Sequence, residues 1–207
     1  MINRKIYFVI VFYILIFTIT PFALSRFSPQ FYGGGLRLSL VAPFYDFDAG
    51  VGLGTDLYIK FIEDFLYFVP SFEYSYASRN RYHYYYYPPA NYWLNKHWLN
   101  EFALNADVHF YPPLYLPVIK PYAGGGLGLV ISREDWQYQN NAPPYNIWYD
   151  NYTSFGPCFD FVFGIDALIG NYIGTVELKI KVGTSYNLFK FTLGLNFPFT
   201  RSYYRRY

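Results

Sequence analysis

The residues of this chain best suited to nucleophilic or metal chemistry are three histidines and one cysteine. His83 and His97 fall in one tyrosine-rich stretch and His109 in an alternating segment. None has a second His or a carboxylate at ligand spacing in the local sequence, so no metal site is expected. Cys158 is the only cysteine, so it can neither close an internal disulfide nor help build a Cys-rich metal centre. In its apolar segment it reads as a small packing residue. No G-x-S-x-G elbow occurs. One catalytic arrangement is left to check, a serine brought to His109 from another segment as a nucleophile–base pair acting on lipid. The glycine clusters Gly50–Gly54 and Gly124–Gly128 lack the helix and the Lys-Ser/Thr pair of a phosphate cradle. No cofactor is expected.

The remaining reactive groups are ionic, and they share a pattern. Arg37, Lys60, Lys179, Lys181 and Lys190 each sit on the polar side of an alternating segment. So do Asp56, Glu73, Glu101, Asp107, Asp160, Asp166 and Glu177. Opposite charges in such near balance can satisfy one another in a confined interior. The chemistry they predict is a network of buried ion pairs. It is not catalysis.

The elements that would hold these groups follow from composition and period. Aromatic residues make up 25% of the 207 residues and charged ones only 14%, yet no internal run approaches the length of a spanning helix. Apolar residues this abundant and this dispersed must be spread by alternation, as in strands. Phe189, Phe191, Leu193, Leu195, Phe197 and Phe199 alternate with Lys190, Thr192, Gly194, Asn196 and Pro198. Val51, Leu53, Thr55, Leu57, Ile59 and Phe61 alternate likewise with Gly52, Gly54, Asp56, Tyr58 and Lys60. Similar patterns run through 36–42, 68–76, 101–110, 122–131, 159–167 and 176–182. Eight segments of about 8–13 residues result, close to the ~9–11 residues of a tilted membrane strand.

Alternation does not say which face meets water, but three further features do. The polar faces are rich in glycine (52, 54, 124, 126, 128, 164 and 194), which suits a narrow crowded lumen. Their charges nearly balance. Connection lengths also alternate: short turns are expected at 63–64, 111–118 and 170–172, and loops at 43–48, 78–97, 133–157 and 183–187. Long loops on one side only is the habit of outer-membrane barrels. In lipid an open sheet edge would strand unpaired backbone groups at a cost of several kcal/mol each, so the sheet must close. The expected fold is an all-β, closed antiparallel transmembrane barrel of about eight strands, with apolar side chains facing lipid and a lumen plugged by side chains.

Ahead of it, residues 1–25 have the form of a cleaved signal peptide. Arg4 and Lys5 precede an uncharged apolar run from Ile6 to Ile19, and Ala23 and Ser25 place small residues before a cut at Arg26. A retained anchor over 6–24 is the rival reading, disfavoured by Pro21 and the small-x-small site. The barrel would then span 26–199, with a short basic tail at 200–207.

Two segments resemble a known group. Lys120–Leu129 resembles a strand common in small outer-membrane barrels of the OmpA/OmpX/OmpW-like group. Thr192, Gly194, Phe197 and Phe199 match every specified position of the signal by which the barrel-assembly machinery recognises its clients. That signal usually ends the chain, whereas here eight residues follow Phe199. The resemblance covers about 26–199 and implies location in the bacterial outer membrane, with membrane lipid and the assembly machinery as partners. No basic stripe points to nucleic acid. The expected role is structural or surface-interacting, without catalysis. The alternatives are a narrow channel for small or hydrophobic solutes and a lipid-modifying enzyme. The Tyr- and Trp-rich stretches at 82–98 and 136–152 read as membrane-interface belts, or as a recognition surface for an external ligand.

Overall fold

The structure, a computed structural model, describes residues 29–44, 47–62, 65–84, 92–114, 118–140, 147–183 and 187–199. The leader at 1–25, the turn at 63–64 and the tail at 200–207 lie outside the described residues, as does the side chain of His83.

Eight strands form a closed antiparallel ring in chain order. They are β1 (Gln30–Pro43), β2 (Gly50–Ile62), β3 (Leu66–Tyr84), β4 (Tyr92–Phe110), β5 (Ile119–Asn140), β6 (Ile147–Ile169), β7 (Tyr172–Gly183) and β8 (Leu188–Pro198). Pairing of β1 with β8, from Gly33↔Pro198 to Pro43↔Leu188, closes the barrel and leaves no free edge in that half. Between β6 and β7 the turn needs only two residues, and Gly170 supplies its positive φ of 63°.

The alternation resolves as expected, with the apolar stripe outward. Leu36, Leu53, Leu104 and Phe163 are 62%, 61%, 60% and 54% exposed. Lys181, Glu101, Asp107 and Asp160, on the opposite faces, are 0–1% exposed. This inverts a water-soluble protein, where so large an apolar surface would aggregate. An aromatic belt marks the short-turn end, where Phe65 meets Phe110 at 4.4 Å and Tyr172 meets Phe197 at 5.4 Å between ring centroids. At the other end the outward stripe turns polar at Asn100, Arg133 and Thr153, which are partners in register across β4, β5 and β6.

The strand lengths correct the sequence reading. β1, β2, β7 and β8 have 11–14 residues, but β3 to β6 have 19–23. The segments expected as loops at 78–97 and 133–157 are mostly paired strand, running to Tyr84, from Tyr92, to Asn140 and from Ile147. Past the polar line both faces of a hairpin can meet water, so the contrast between faces that marks a membrane strand disappears. A four-stranded sheet therefore stands above the low half of the rim by roughly 20–35 Å of strand, at ~3.3 Å per residue.

Candidate functional site

The lumen is filled in three layers. At its centre Glu73 of β3 accepts hydrogen bonds from three lysines reaching across the barrel: Lys179 (2.6 Å) and Lys181 (3.5 Å) from β7, and Lys190 (2.8 Å) from β8. Lys179 also donates to Asp107 at 2.9 Å and lies 3.6 Å from Asp160. Lys181 and Lys190 share Glu101 at 3.3 and 3.9 Å. One layer nearer the short turns, Arg37 donates to Asp56 at 2.5 Å and to the Tyr58 hydroxyl. Sharing Glu73 among three ammonium groups and Glu101 between two offsets the desolvation that would otherwise make such burial costly.

Two predicted members of the network are held differently. Asp166 accepts from Tyr111 (2.7 Å) and Thr175 (2.6 Å), and Glu177 from Tyr122 (2.6 Å). Hydroxyl donors thus serve carboxylates that outnumber the interior cations. Lys60 lies half-buried at the short-turn rim, at the register level of Gln30 and Tyr67.

Above and below the ionic layer the interior is apolar or aromatic. Val41, Leu99 and Leu188, with Phe47 against them, close the extended end. Tyr58, Tyr67, Val69, Tyr111, Tyr122 and Val162 close the other. Tyr67 and Tyr111 were missed by sequence reasoning; for Tyr67 the period was available, since 67, 69 and 71 continue the inward face of β3. Two inward cavities of about 40 and 20 Å³ lie near the tyrosines and the charges. Spaces of that size hold a water or two.

His109 does not form the serine pair left to check in the sequence. Its ring stacks on Tyr122 (4.7 Å, 15°) and meets Tyr58 edge-on, and neither nitrogen has a hydrogen-bond partner among the described residues. It is therefore neither joined to the ionic network by a hydrogen bond nor paired with a serine. Of the two histidines with described side chains, His97 has an acidic partner, its Nε2 lying 3.0 Å from Glu134 Oε2. Cys158 is fully buried, packed with Ala103 and Val130, and its thiol donates weakly to Asn105 at 3.7 Å. Among the described residues no group of His, Cys, Asp and Glu could hold a metal ion.

The four residues matching the assembly signal lie on β8 and just past it. Thr192 and Gly194 face inward, Thr192 sharing a 2.8 Å hydrogen bond with Ser39. Phe197 and Phe199 face outward at the short-turn end. On the extension the aromatic side chains are not confined to a belt. Trp148, Tyr149 and Tyr152 of β6 are 45%, 73% and 61% exposed beyond the polar line.

No family model and no curated protein matches this chain. Solved structures do. Neisserial surface protein A aligns with a TM-score of 0.52 at 12% identity, over 83% of this chain and 99% of that one. A major outer membrane protein from Thermus thermophilus aligns at 0.46 and 13%, over 80% and 99%. The N-terminal β-barrel domain of Pseudomonas aeruginosa OprF aligns at 0.42 and 13%, over 83% and 100%. Eight antiparallel strands closed in chain order, greasy outside and ionic within, give this chain the fold of the small outer-membrane β-barrels.

Proposed function

We propose that the chain is exported by its cleaved leader, assembled into the bacterial outer membrane, and displays the β3–β6 sheet on the cell surface for contact with external molecules. The barrel is then an anchor without catalytic role. The observation that carries this reading is the filled lumen. With Glu73 bridged to Lys179, Lys181 and Lys190 between two apolar layers, the interior offers neither a conduit nor a reaction chamber. The Phe- and Leu-rich outer stripe provides the lipid contact, and Thr192, Gly194 and Phe197 of the last strand, with Phe199 just past it, provide the signal for the assembly machinery. The length of β3 to β6 makes sense only for what lies outside the bilayer, since the hydrocarbon is already crossed by the eleven residues of β8.

The test combines three measurements on the full chain. Outer-membrane fractions should contain a heat-modifiable folded species, and externally added protease should cut within 133–157 in intact cells. In planar bilayers the purified barrel should stay electrically silent. Steady conductance would overturn the anchor reading in favour of a narrow channel, and an altered lipid A on expression would favour an enzyme.

A further inference from the structure

On the face continuous with the lumen, β5 beyond the polar line carries buried Glu134 and half-buried Trp136 and Tyr138, and β6 carries exposed Trp148, Asp150 and Tyr152. The register sets Tyr138 against Trp148, Trp136 against Asp150 and Glu134 against Tyr152. Asp150 therefore has Trp148 and Tyr152 two residues away on its own strand, ~6.6 Å in each direction. Trp136 stands directly across from it, at the ~5 Å between Cβ atoms of cross-strand pairs. On this face Trp136 is flanked by its β4 register partner, His97. His97 stacks on Trp136 at 3.5 Å, and the Trp136 and Tyr138 rings lie 6.2 Å apart and within 6° of parallel. β7 stops at Gly183 opposite Cys158, so no strand covers the outer side of β6 here. Asp150 is exposed, accepts a 2.8 Å hydrogen bond from the Asn151 backbone, and pairs with no cation among the described residues.

We propose that Trp136, Trp148 and Tyr152 around Asp150 form a binding site for a quaternary ammonium group of the choline type, which deepens the surface-contact reading and rests on it. The faces of aromatic rings carry negative potential, and a cation held over them is attracted, most strongly over tryptophan. One carboxylate balances one charge. A trimethylammonium group has no N–H to satisfy and is weakly hydrated, so three rings and a single acid complete its surroundings. A primary ammonium is strongly hydrated and brings three donors to a site with few acceptors. Anions are repelled by Asp150. A neutral sugar would stack on the rings and donate hydroxyls to Asp150, but it would leave the negative charge unbalanced.

The test uses the full barrel refolded in a polyoxyethylene detergent, free of choline or amine-oxide headgroups. Choline chloride is titrated at constant ionic strength and followed by calorimetry and tryptophan fluorescence. Saturable binding is expected, weakened at least about fivefold by Asp150→Asn and by Trp148→Ala and retained by Asp150→Glu, with the heat-modifiable shift intact in all three. No saturation, binding of N-acetyl-lysine methylamide as tight as choline, or binding of glucose in place of choline would each overturn the site. Phosphocholine run alongside separates the sources: binding as tight as choline points to a headgroup and exclusion to free choline, and either supports an ammonium site. Labelling the Asn151→Cys variant with a membrane-impermeant maleimide in intact cells tests the display separately. Label without choline binding sinks the site alone, and choline binding without label sinks the outward display alone.

Discussion

Gly194 of β8 lies directly across the closing seam from Arg37 of β1, so close that a Cβ at position 194 would overlap the guanidinium. The missing side chain is what lets Arg37 lie flat against the wall and reach Asp56 at 2.5 Å. Gly194→Val should displace Arg37 and lower stability by about 1–3 kcal/mol through overpacking, and more if Asp56 is left unpaired. Outward-facing Gly34 is the control, since a Cβ there makes only ordinary contacts of 3.4 Å or more. Gly34→Val should be near neutral. Urea unfolding of both variants in micelles reads the difference, and equal midpoints would remove the role given to Gly194.

Glu73 is the single acceptor shared by three buried lysines, so its removal should be the most damaging change in the lumen. Glu73→Ala leaves those charges partly uncompensated and should cost about 3–5 kcal/mol. The sign can be tested without making a cavity. Glu73→Gln alone should be less stable than Glu73→Gln combined with Lys190→Met, because the second change removes one of the stranded charges. A double variant weaker than the single would mean that packing around Glu73, and not charge balance, holds the centre.

The membrane-crossing part of this fold was legible residue by residue, because there the two faces of each strand meet opposite solvents. Phe102, Leu104, Ala106, Val108 and Phe110 against Glu101, Asn105, Asp107 and His109 fix the period, and the glycines, the charge balance and the connection lengths point to the face. Above Asn100 and Arg133 that contrast ends, and paired strand passed for loop. The network was legible as a set of residues but not as a set of contacts. Nothing local to Glu73 says that its partners are 106, 108 and 117 positions away. Tyrosine was the least readable residue type, since the same side chain serves the interface belt, the lumen floor at Tyr67 and Tyr111, and the outer sheet at Tyr149.

Leu104 and Leu129 are register partners in the middle of the outward stripe, 60% and 49% exposed to the surroundings. If those surroundings are hydrocarbon, Leu104→Arg should destabilise the barrel in lipid vesicles by about 2–4 kcal/mol. Tyr149→Arg, beyond the polar line, should change it by less than about 0.5 kcal/mol. Reversible folding into vesicles measures both. A neutral Leu104→Arg would remove the membrane from the argument, because water around Leu104 would welcome the charge.

The extension should be separable from the barrel that carries it. Asp135 and Asn151 are register partners on β5 and β6, so replacing residues 136–150 by Asn-Gly joins them through a two-residue hairpin turn without shifting any pair below. The deletion removes Trp136, Trp148 and Asp150 and leaves Glu73, Glu101 and the three lysines untouched. It takes from β4 the β5 partners of Trp93 to His97, Trp136 with its stacked ring among them, but leaves His97 its contact with Glu134. The shortened chain should fold into micelles with the same heat-modifiable shift and a urea midpoint close to that of the full chain. A barrel that fails to fold would show that the outer sheet is part of the folding unit. Its length would then be explained by stability, and the display of a surface would have to be argued from other grounds.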